Sequence, residues 1–327
     1  MNIFNVNNES GVNMKHDIMN RKFGILVACL LILAQGFSVA AASQTGSAPL
    51  PSELQNGSFS GFAVTDKPIT LKDGKWQGEP YDKGAASRPE ITLLTGTYLV
   101  GDFDGDGSED AAVLLAESGG GTGIFYYLAV VEKKDDKLHT IATTMIGDRV
   151  QIVETGSEKG VIVVTMLQAG PDDAACCPAD LVRRTFTLKG NALQEGKRTG
   201  KADRLTPDVI AGVTWVLTGW NRDEPAPLEP EITLEYKDGK FAGSSGCNRY
   251  FTDVSAGEVP GYISVGMIGA TMMMCPPPIN KAEMRFQKQL EGITGFGFDS
   301  GHLVLGYSKG ENGGAMFFER KQNASAE

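Results

Sequence analysis

Short apolar segments separated by turns limit the fold of this chain more than any other feature of its sequence. From Phe59 onward such segments recur roughly every ten to fifteen residues, which is the spacing of strands in a β-rich protein. Hairpin signals stand at Asp73-Gly74 and Asp238-Gly239. The 41 glycines and 15 prolines also favour turns and short strands over long helices. The sequence therefore predicts a mainly β fold of the α+β class, built from antiparallel sheets.

The strand candidates fall into two groups, and one helix candidate follows them. The first group comprises Ile69-Thr70-Leu71, Lys75-Trp76 and residues 91–100, 111–115, 124–131, 138–145, 149–153, 161–167 and 183–188. In the second group Ile232, Leu234 and Tyr236 alternate with polar residues, as one buried strand face requires. The helix candidate has Asn280 as its cap, Glu283 in its first turn, and Met284, Phe286, Leu290 and Ile293 on its apolar face. We expect this to be the one principal helix.

The N-terminal segment has the order of a secretory signal. Basic residues, the last of them Arg21 and Lys22, precede an apolar run over 23–39, and Ala40-Ala41-Ala42 follow. This order predicts cleavage near Ala42 and a periplasmic or secreted protein with no membrane span in the mature chain. The alternative is a lipoprotein signal, because residues 26–29 read Leu-Val-Ala-Cys and would place a lipid on Cys29.

A chain of 327 residues is long enough for two domains. The predicted division is a signal peptide at 1–42, a linker at 43–57, an N-terminal β-rich domain at 58–194, a linker at 195–211, a C-terminal domain at 212–320 and a tail at 321–327. Thr206-Pro207-Asp208 indicates one short helical turn. The net charge of −10 argues against nucleic acid or an anionic membrane surface as the partner, since both require clustered Lys and Arg.

An acidic run at residues 102–110 is the sharpest local signal. Carboxylates at alternate positions, with glycine between them, can converge on a hard cation that prefers oxygen ligands. The predicted calcium ligands are the side chains of Asp102, Asp104, Asp106 and Asp110, and the backbone carbonyl of Ser108. The spacing resembles the calcium loops of repeat and adhesion modules, and the role would be structural. The alternative is a solvated acidic hairpin, because Asp and Gly also favour tight turns.

Three pieces of the C-terminal third belong together. They are Gly246-Cys247-Asn248-Arg249-Tyr250, Ala270-Thr271-Met272-Met273-Met274-Cys275 and the helix candidate at 283–290. Over residues 215–318 the chain resembles the META domain, the HslJ-like family of small bacterial envelope domains. The resemblance implies an antiparallel β domain with one principal helix, linked to the envelope and to stress, without an established reaction. Within these motifs we interpret Asn248 as a turn-stabilising residue. Arg249 either caps a turn or contacts a partner, and Thr271 belongs to the second motif.

Four cysteines remain after the predicted signal, and an exported protein would hold them in an oxidising compartment. Four cysteines allow three pairings. Given the META motifs, the most economical pairing joins Cys247 to Cys275. Cys176 and Cys177 then form a vicinal disulfide or a pair of thiols. Pairing across the two predicted domains stays open, if the domains dock within disulfide reach.

The predicted function is that of an exported, non-enzymatic protein that binds a protein or surface component. One alternative is a thiol redox protein that uses Cys176 and Cys177. Another is soft-metal binding, in the form of copper, by Met267, Met272, Met273 and Met274 beside Cys275, although we expect these methionines to fill gaps in the core. Of the three histidines, His16 lies in or before the predicted signal. His139 and His302 belong to no recognisable catalytic or metal-binding motif and are expected in turns or at the surface.

Overall fold

The computed structural model describes residues 46–84, 86–174, 176–197, 203–309 and 312–321. The predicted signal, with His16, Cys29 and the cleavage position at Ala42, lies outside these residues. The described chain is mainly β, with several antiparallel sheets and one main helix near the C-terminus, as the sequence predicts. Within it, no helix has the length and apolar character needed to cross a membrane.

In the first half of the chain, the described residues form thirteen strands and two short helical segments. They are α1 (Pro51–Gln55), β1 (Ser58–Phe59), β2 (Ile69–Thr70), β3 (Lys75–Gln77), β4 (Glu90–Leu93), β5 (Leu99–Gly101), β6 (Asp110–Ser118), β7 (Ile124–Lys134), β8 (Lys137–Asp148), β9 (Gln151–Glu158), β10 (Val161–Gln168), β11 (Asp180–Lys189), β12 (Ala192–Glu195), β13 (Asp203–Arg204) and a 3-10 helix (Pro207–Ile210). The strand predicted over 91–100 is two strands, because the chain turns at Gly96 with φ of 83°. β4 and β5 then pair with different stretches of β6.

Two sheets of this half pack on each other through β6 and β7. One sheet has the order β3-β4-β6-β7-β8, and the other has the order β12-β11-β10-β9. Successive residues of β6 point to opposite faces, and both faces are buried. Leu114 belongs to the same buried cluster as Ile162 and Phe186 of the second sheet, whereas Leu115 belongs to the cluster of Leu54 on the other side. This explains why β6 reads as a continuous apolar run with no polar alternation.

The predicted linker at 43–57 contains the short helix α1, which packs against the first sheet. Leu54 is 1% exposed, and Glu53 forms an ion pair with Lys133 of β7 at 2.7 Å. The predicted linker at 195–211 likewise contains β13, which pairs with β11, and the 3-10 helix, which fulfils the helical turn predicted there. The linker at 43–57 was predicted from its polar composition, which does not indicate that Leu54 is buried. The division into two domains stays a prediction.

In the second half, the part of the chain that the structure describes forms one ten-stranded antiparallel sheet and the main helix. Its elements are β14 (Trp215–Asn221), β15 (Glu224–Pro225), β16 (Thr233–Lys237), β17 (Lys240–Ser244), β18 (Arg249–Ala256), β19 (Ile263–Val265), β20 (Gly269–Ala270), α2 (Pro277–Leu290), β21 (Ile293–Asp299), β22 (His302–Lys309) and β23 (Asn312–Arg320). The two ends of the sheet meet where Tyr262 bridges Gly295 and Phe296 N donates to Gly261 O at 2.8 Å. The result is a nearly closed, barrel-like sheet.

Helix α2 covers the apolar interior of this barrel-like sheet. Phe286 and Leu290 are fully buried, and Phe286 meets Tyr250 edge-on with ring centroids 5.2 Å apart. The predicted cap at Asn280 is wrong, because the helix begins at Pro277, where proline needs no hydrogen-bond partner for a backbone N–H. Ile293 lies in β21, beyond the helix.

Candidate functional site

Asn248 and Glu283 form the centre of the cluster that the C-terminal motifs build. The carboxylate of Glu283 comes from α2 and is buried, with 7% of the residue exposed. Its Oε1 accepts from Asn248 N at 3.0 Å, and its Oε2 accepts from Asn248 Nδ2 at 3.0 Å. Ser245 Oγ also donates to Oε1. A buried carboxylate requires such donors, so the tight turn before β18 and the helix are locked together.

The other edge of Asn248 holds the segment that carries the second motif. Asn248 Oδ1 accepts from Met273 N at 2.7 Å and from Thr271 Oγ1 at 2.8 Å, while Nδ2 also donates to Met273 O at 3.2 Å. Thr271 Oγ1 in turn accepts from Arg249 N at 3.2 Å, and the Arg249 side chain is exposed. These hydrogen bonds join the turn at Asn248 to the segment of Thr271 and Met273, and the turn-stabilising role of Asn248 stays a prediction. The sequence interpretation missed Ser245 and assigned Glu283 only to the first turn of the helix.

Cys247 and Cys275 provide a second connection between the turn at Asn248 and the segment that carries the second motif. Their Cα atoms lie 5.9 Å apart, within the usual range for a disulfide, and their sulfur atoms are within bonding distance. Cys247 is buried, with 7% exposure. The pair is thus placed to form the disulfide that the family resemblance implied.

The methionines beside Cys275 are not in the core, which corrects the expectation that they fill its gaps. Met267, Met272 and Met274 are 97%, 98% and 95% exposed, and Met273 is 60% exposed. The ring of Phe251, itself 58% exposed, lies against Gly269 in the same segment. Because the backbone of Met273 bonds to Asn248, the segment is fixed while its side chains face solvent. We call Phe251, Met267, Met272, Met273 and Met274 the methionine surface.

The acidic run forms a tight loop between β5 and β6. Asp102, Asp104 and Asp106 are exposed, and each offers a carboxylate oxygen within 4.8 Å of the others. Their other contacts are local: Asp102 accepts from Gly105 N and Gly107 N, at 2.7 and 3.1 Å, and Asp106 accepts from Ser108 N at 2.7 Å. The loop thus brings three of the predicted calcium ligands together, and a hard cation would find oxygen donors there.

Asp110, the fourth predicted side-chain ligand, is separated from the exposed three by its burial. It is 1% exposed at the start of β6, and its Oδ2 accepts from Phe103 N at 3.0 Å. Burial raises the pKa of the Asp110 carboxyl to about 6, and the negative charges of Asp104 and Asp106 add to this increase. In this arrangement Asp110 ties the end of the loop to its beginning.

Cys176 and Cys177 lie in an exposed turn that neighbouring charges hold in place. Their sulfur atoms face each other, and Cys177 N donates to Ala174 O at 2.9 Å. Asp173 accepts from Gly170 N at 2.8 Å and forms an ion pair with Arg204 at 2.7 Å. The hydrogen bond from the Arg204 guanidinium, helped by that from Gly170, lowers the pKa of the Asp173 carboxyl to about 2. The turn is therefore anchored on both sides of the cysteines.

The two histidines in the described part of the chain lie apart from these clusters. His139 is exposed on β8. The ring nitrogens of His302 lie 3.1 Å from Asp299 O and 3.0 Å from Glu319 Oε1, so its side chain bridges β21 and β23. His302 therefore has structural contacts at both nitrogens.

Comparison with known proteins gives one family match and one similar solved structure to report here. Residues 208–322 match the family model described as META domain. Among solved structures, the chain is similar to one titled "NMR structure of the protein from Burkholderia xenovorans", with 26% sequence identity. That similarity covers 39% of this chain and 97% of the other, with a TM-score of 0.30. A search of the curated proteins gave no match.

Proposed function

We propose, on the premise that residues 208–322 form a META domain, that this chain is an exported, non-enzymatic binding protein of the cell envelope or its surroundings. Its partner is a protein or surface component, and its role lies in stress tolerance. The observation that carries this proposal is the exposure of the methionine surface. Large apolar side chains clustered in water mark interaction sites, because burying them against a partner is favourable.

Methionine suits such a surface for two reasons. Its thioether side chain is unbranched and polarisable, so it adapts to the shape of a partner. The backbone beneath is held by Asn248 through Met273 and by the Cys247–Cys275 pair, so little backbone order is lost on binding. A fixed segment with adaptable apolar side chains supports binding more than catalysis.

A photo-crosslinking experiment tests this surface. A photoreactive amino acid is placed at Met272 in one variant and at Met145 in the matched control, since Met145 is 54% exposed but lies on β8. We expect a discrete crosslinked species from position 272 in intact cells, and its loss when Met267 and Met274 are changed to Ser. Identical crosslinking patterns from positions 272 and 145 would contradict the proposal.

Export is the second part of the proposed function, and it has its own test. N-terminal sequencing of the mature chain should begin after Ala42, with the protein in the periplasmic or secreted fraction. A lipid-modified N-terminus at Cys29 would instead support the lipoprotein alternative. A full-length chain in the cytoplasm would argue against both.

Calcium binding at the acidic loop is proposed as a structural contribution to this function. The convergence of Asp102, Asp104 and Asp106 supports it. Calcium should raise the melting temperature of the mature protein more than magnesium does. Asp104→Asn should remove this increase, since an amide keeps the hydrogen bond from Asp106 N but loses the charge. Asp66→Asn, at another exposed acidic residue, serves as the control; a calcium response unchanged in Asp104→Asn would argue for a solvated loop.

Copper binding is the first alternative function, and the exposed thioethers of Met272 and Met274 favour it. One residue separates them in the chain, and their side chains are 98% and 95% exposed. Thioethers are ligands for Cu(I), which prefers soft donors. Stoichiometric Cu(I) should then raise the melting temperature, and the double change to Ser at these positions should abolish that increase. The absence of any Cu(I) effect would exclude this alternative.

Thiol redox activity is the second alternative, and the exposure of Cys176 and Cys177 favours it. Both are accessible to a dithiol reductant, which would be oxidised to its disulfide as the cysteine pair gained two electrons and two protons. Alkylation before digestion, followed by non-reducing peptide mapping, measures the state of each pair. Ready reduction of this pair by glutathione, while Cys247–Cys275 persists, would support redox activity. Equal resistance of both pairs would support structural disulfides.

A further inference from the structure

A cleft of about 610 Å³ opens between the first half of the chain and the barrel-like sheet. Tyr126 of β7 and Arg149 of the turn after β8 line one side, and residues of β21 line the other. Cys176 and Cys177 stand at the same cleft. Its volume falls in the range of small-molecule binding sites, which concentrate where separately packed parts of a protein meet.

Hydrogen bonds across the cleft floor fix its shape. Gln151 Oε1, from β9, accepts from Phe298 N of β21 at 2.8 Å. Gly301 N donates to Ile152 O at 2.9 Å. Because these bonds join the two halves at residues that line the cleft, Gln151, Ile152 and Phe298, a ligand would meet a largely preformed site. Preformed sites bind with a smaller loss of conformational entropy.

The charged groups of the cleft neutralise one another. The Arg149 guanidinium donates to the Asp148 carboxylate, at 3.0 Å from Nε to Oδ2. Arg222 forms an ion pair with Asp299 at 2.5 Å, and its guanidinium lies over the Phe317 ring, 5.7 Å from the centroid. The paired groups still present donors and acceptors side by side. They offer no excess charge to hold a phosphate or a carboxylate.

Aromatic rings supply the apolar part of the cleft. Tyr262 is 60% exposed at its edge, although the backbone on both sides of this residue is hydrogen-bonded. The Tyr126 ring is half-buried further in, and burial raises the pKa of its hydroxyl, which keeps it a neutral donor and acceptor. Flat apolar faces beside paired polar groups match a ligand that has both C–H faces and hydroxyl groups.

We propose that this cleft binds a neutral oligosaccharide. The hydroxyl groups of a sugar both donate and accept, as do the Arg149 guanidinium and the Arg222–Asp299 pair together. The C–H faces of the sugar rings pack on Tyr262 and Tyr126. This site is separate from the methionine surface, so it can be tested independently of the partner binding proposed above.

Calorimetric titration of the mature protein with three neutral probes, cellotetraose, maltotetraose and chitotetraose, tests the proposal. We expect at least one of them to bind, and Tyr262→Ala to weaken its binding by about tenfold or more, because the change removes one of the two aromatic rings on which the sugar would pack. Tyr81→Ala is the matched control, because Tyr81 is also 60% exposed but lies outside the cleft. It should leave the affinity unchanged.

A second variant and an anionic probe complete the test. Arg222→Met keeps a long side chain over Phe317 but removes the donors, and it should weaken binding of the same probe about as much as Tyr262→Ala does, about tenfold. Hyaluronan tetrasaccharide carries carboxylates and should bind more weakly than the neutral probes. The proposal is overturned if no neutral probe binds, if the anionic probe binds more tightly, or if Tyr262→Ala and Tyr81→Ala have equal effects.

Discussion

Asn248 binds Glu283 twice, through its backbone N to Oε1 and through its side-chain Nδ2 to Oε2, each at 3.0 Å. A residue of a turn and a residue of the main helix thus satisfy each other's hydrogen-bonding groups in the protein interior. The opposite edge of Asn248 holds the segment of Thr271 and Met273. A single amide therefore joins three pieces of chain that are distant in sequence.

The first prediction concerns this pair. Glu283→Ala should lower the free energy of unfolding by about 3 kcal/mol, since it leaves buried donors of Asn248 and Ser245 without acceptors. Urea unfolding monitored by circular dichroism measures this. Met284→Ala, at an exposed neighbouring position of the same helix, is the control and should change the free energy by less than about 0.5 kcal/mol. A similar loss of unfolding free energy in both variants would mean that any substitution in the helix has this effect, and that the Asn248–Glu283 pair is not its source.

The second prediction separates the two cysteine pairs. Changing Cys247 and Cys275 together to Ser should lower stability by about 3 kcal/mol, because their disulfide closes a loop across a sequence separation of 28 and restricts the unfolded chain. Cys176 and Cys177 are adjacent, so a disulfide between them closes almost no loop. The same double change there should therefore lower stability far less. Chemical denaturation under non-reducing conditions gives both values. Equal losses would show that loop closure is not the source of the stabilisation.

The third prediction is a dependence on pH. The pKa of the Asp173 carboxyl falls from its ordinary value of 3.8 to about 2 in the folded protein, so the unfolded chain binds the proton more readily. This contribution to stability is present above about pH 4 and is lost as the pH falls through about 2. Asp173→Asn should therefore reduce the slope of unfolding free energy against pH in that window. Asp172→Asn, an exposed neighbour, controls for the lost charge, and an unchanged slope in Asp173→Asn would refute the assignment.

The fourth prediction tests the close approach of two strands. A Cβ at Gly243 of β17 would lie 2.1 Å from Thr233 O of β16, and the backbone cannot yield without breaking the sheet. Gly243→Ala should lower the free energy of unfolding by roughly 2 kcal/mol or more, as overpacking does. Gly156→Ala is the matched control, because a Cβ there would meet no atom within 4 Å. Melting curves for both variants check this, and equal shifts would count against the steric explanation.

The sequence predicted the elements that depend on local chemistry. Alternation and turn residues indicated most strands of both halves, and helical spacing placed Phe286 and Leu290 on one buried face. The start of the helix was misplaced because Asn280 is a good cap in isolation, whereas Pro277 begins the helix without needing any cap. Residues 91–100 read as one strand because the sequence does not show that Gly96 takes a positive φ.

What the sequence by itself determined is the β class, the main helix, the motifs at 246–250 and 270–275 and the acidic loop, since each depends on residues close together in the chain. Only the tertiary structure decided that Glu283 meets Asn248, that Met272 and Met274 face solvent, and that Arg222 and Tyr262 border one cleft. These relationships join residues across long separations. Burial and hydrogen bonding at such positions depend on how the sheets pack, and the spacing of residues along the chain does not predict that packing.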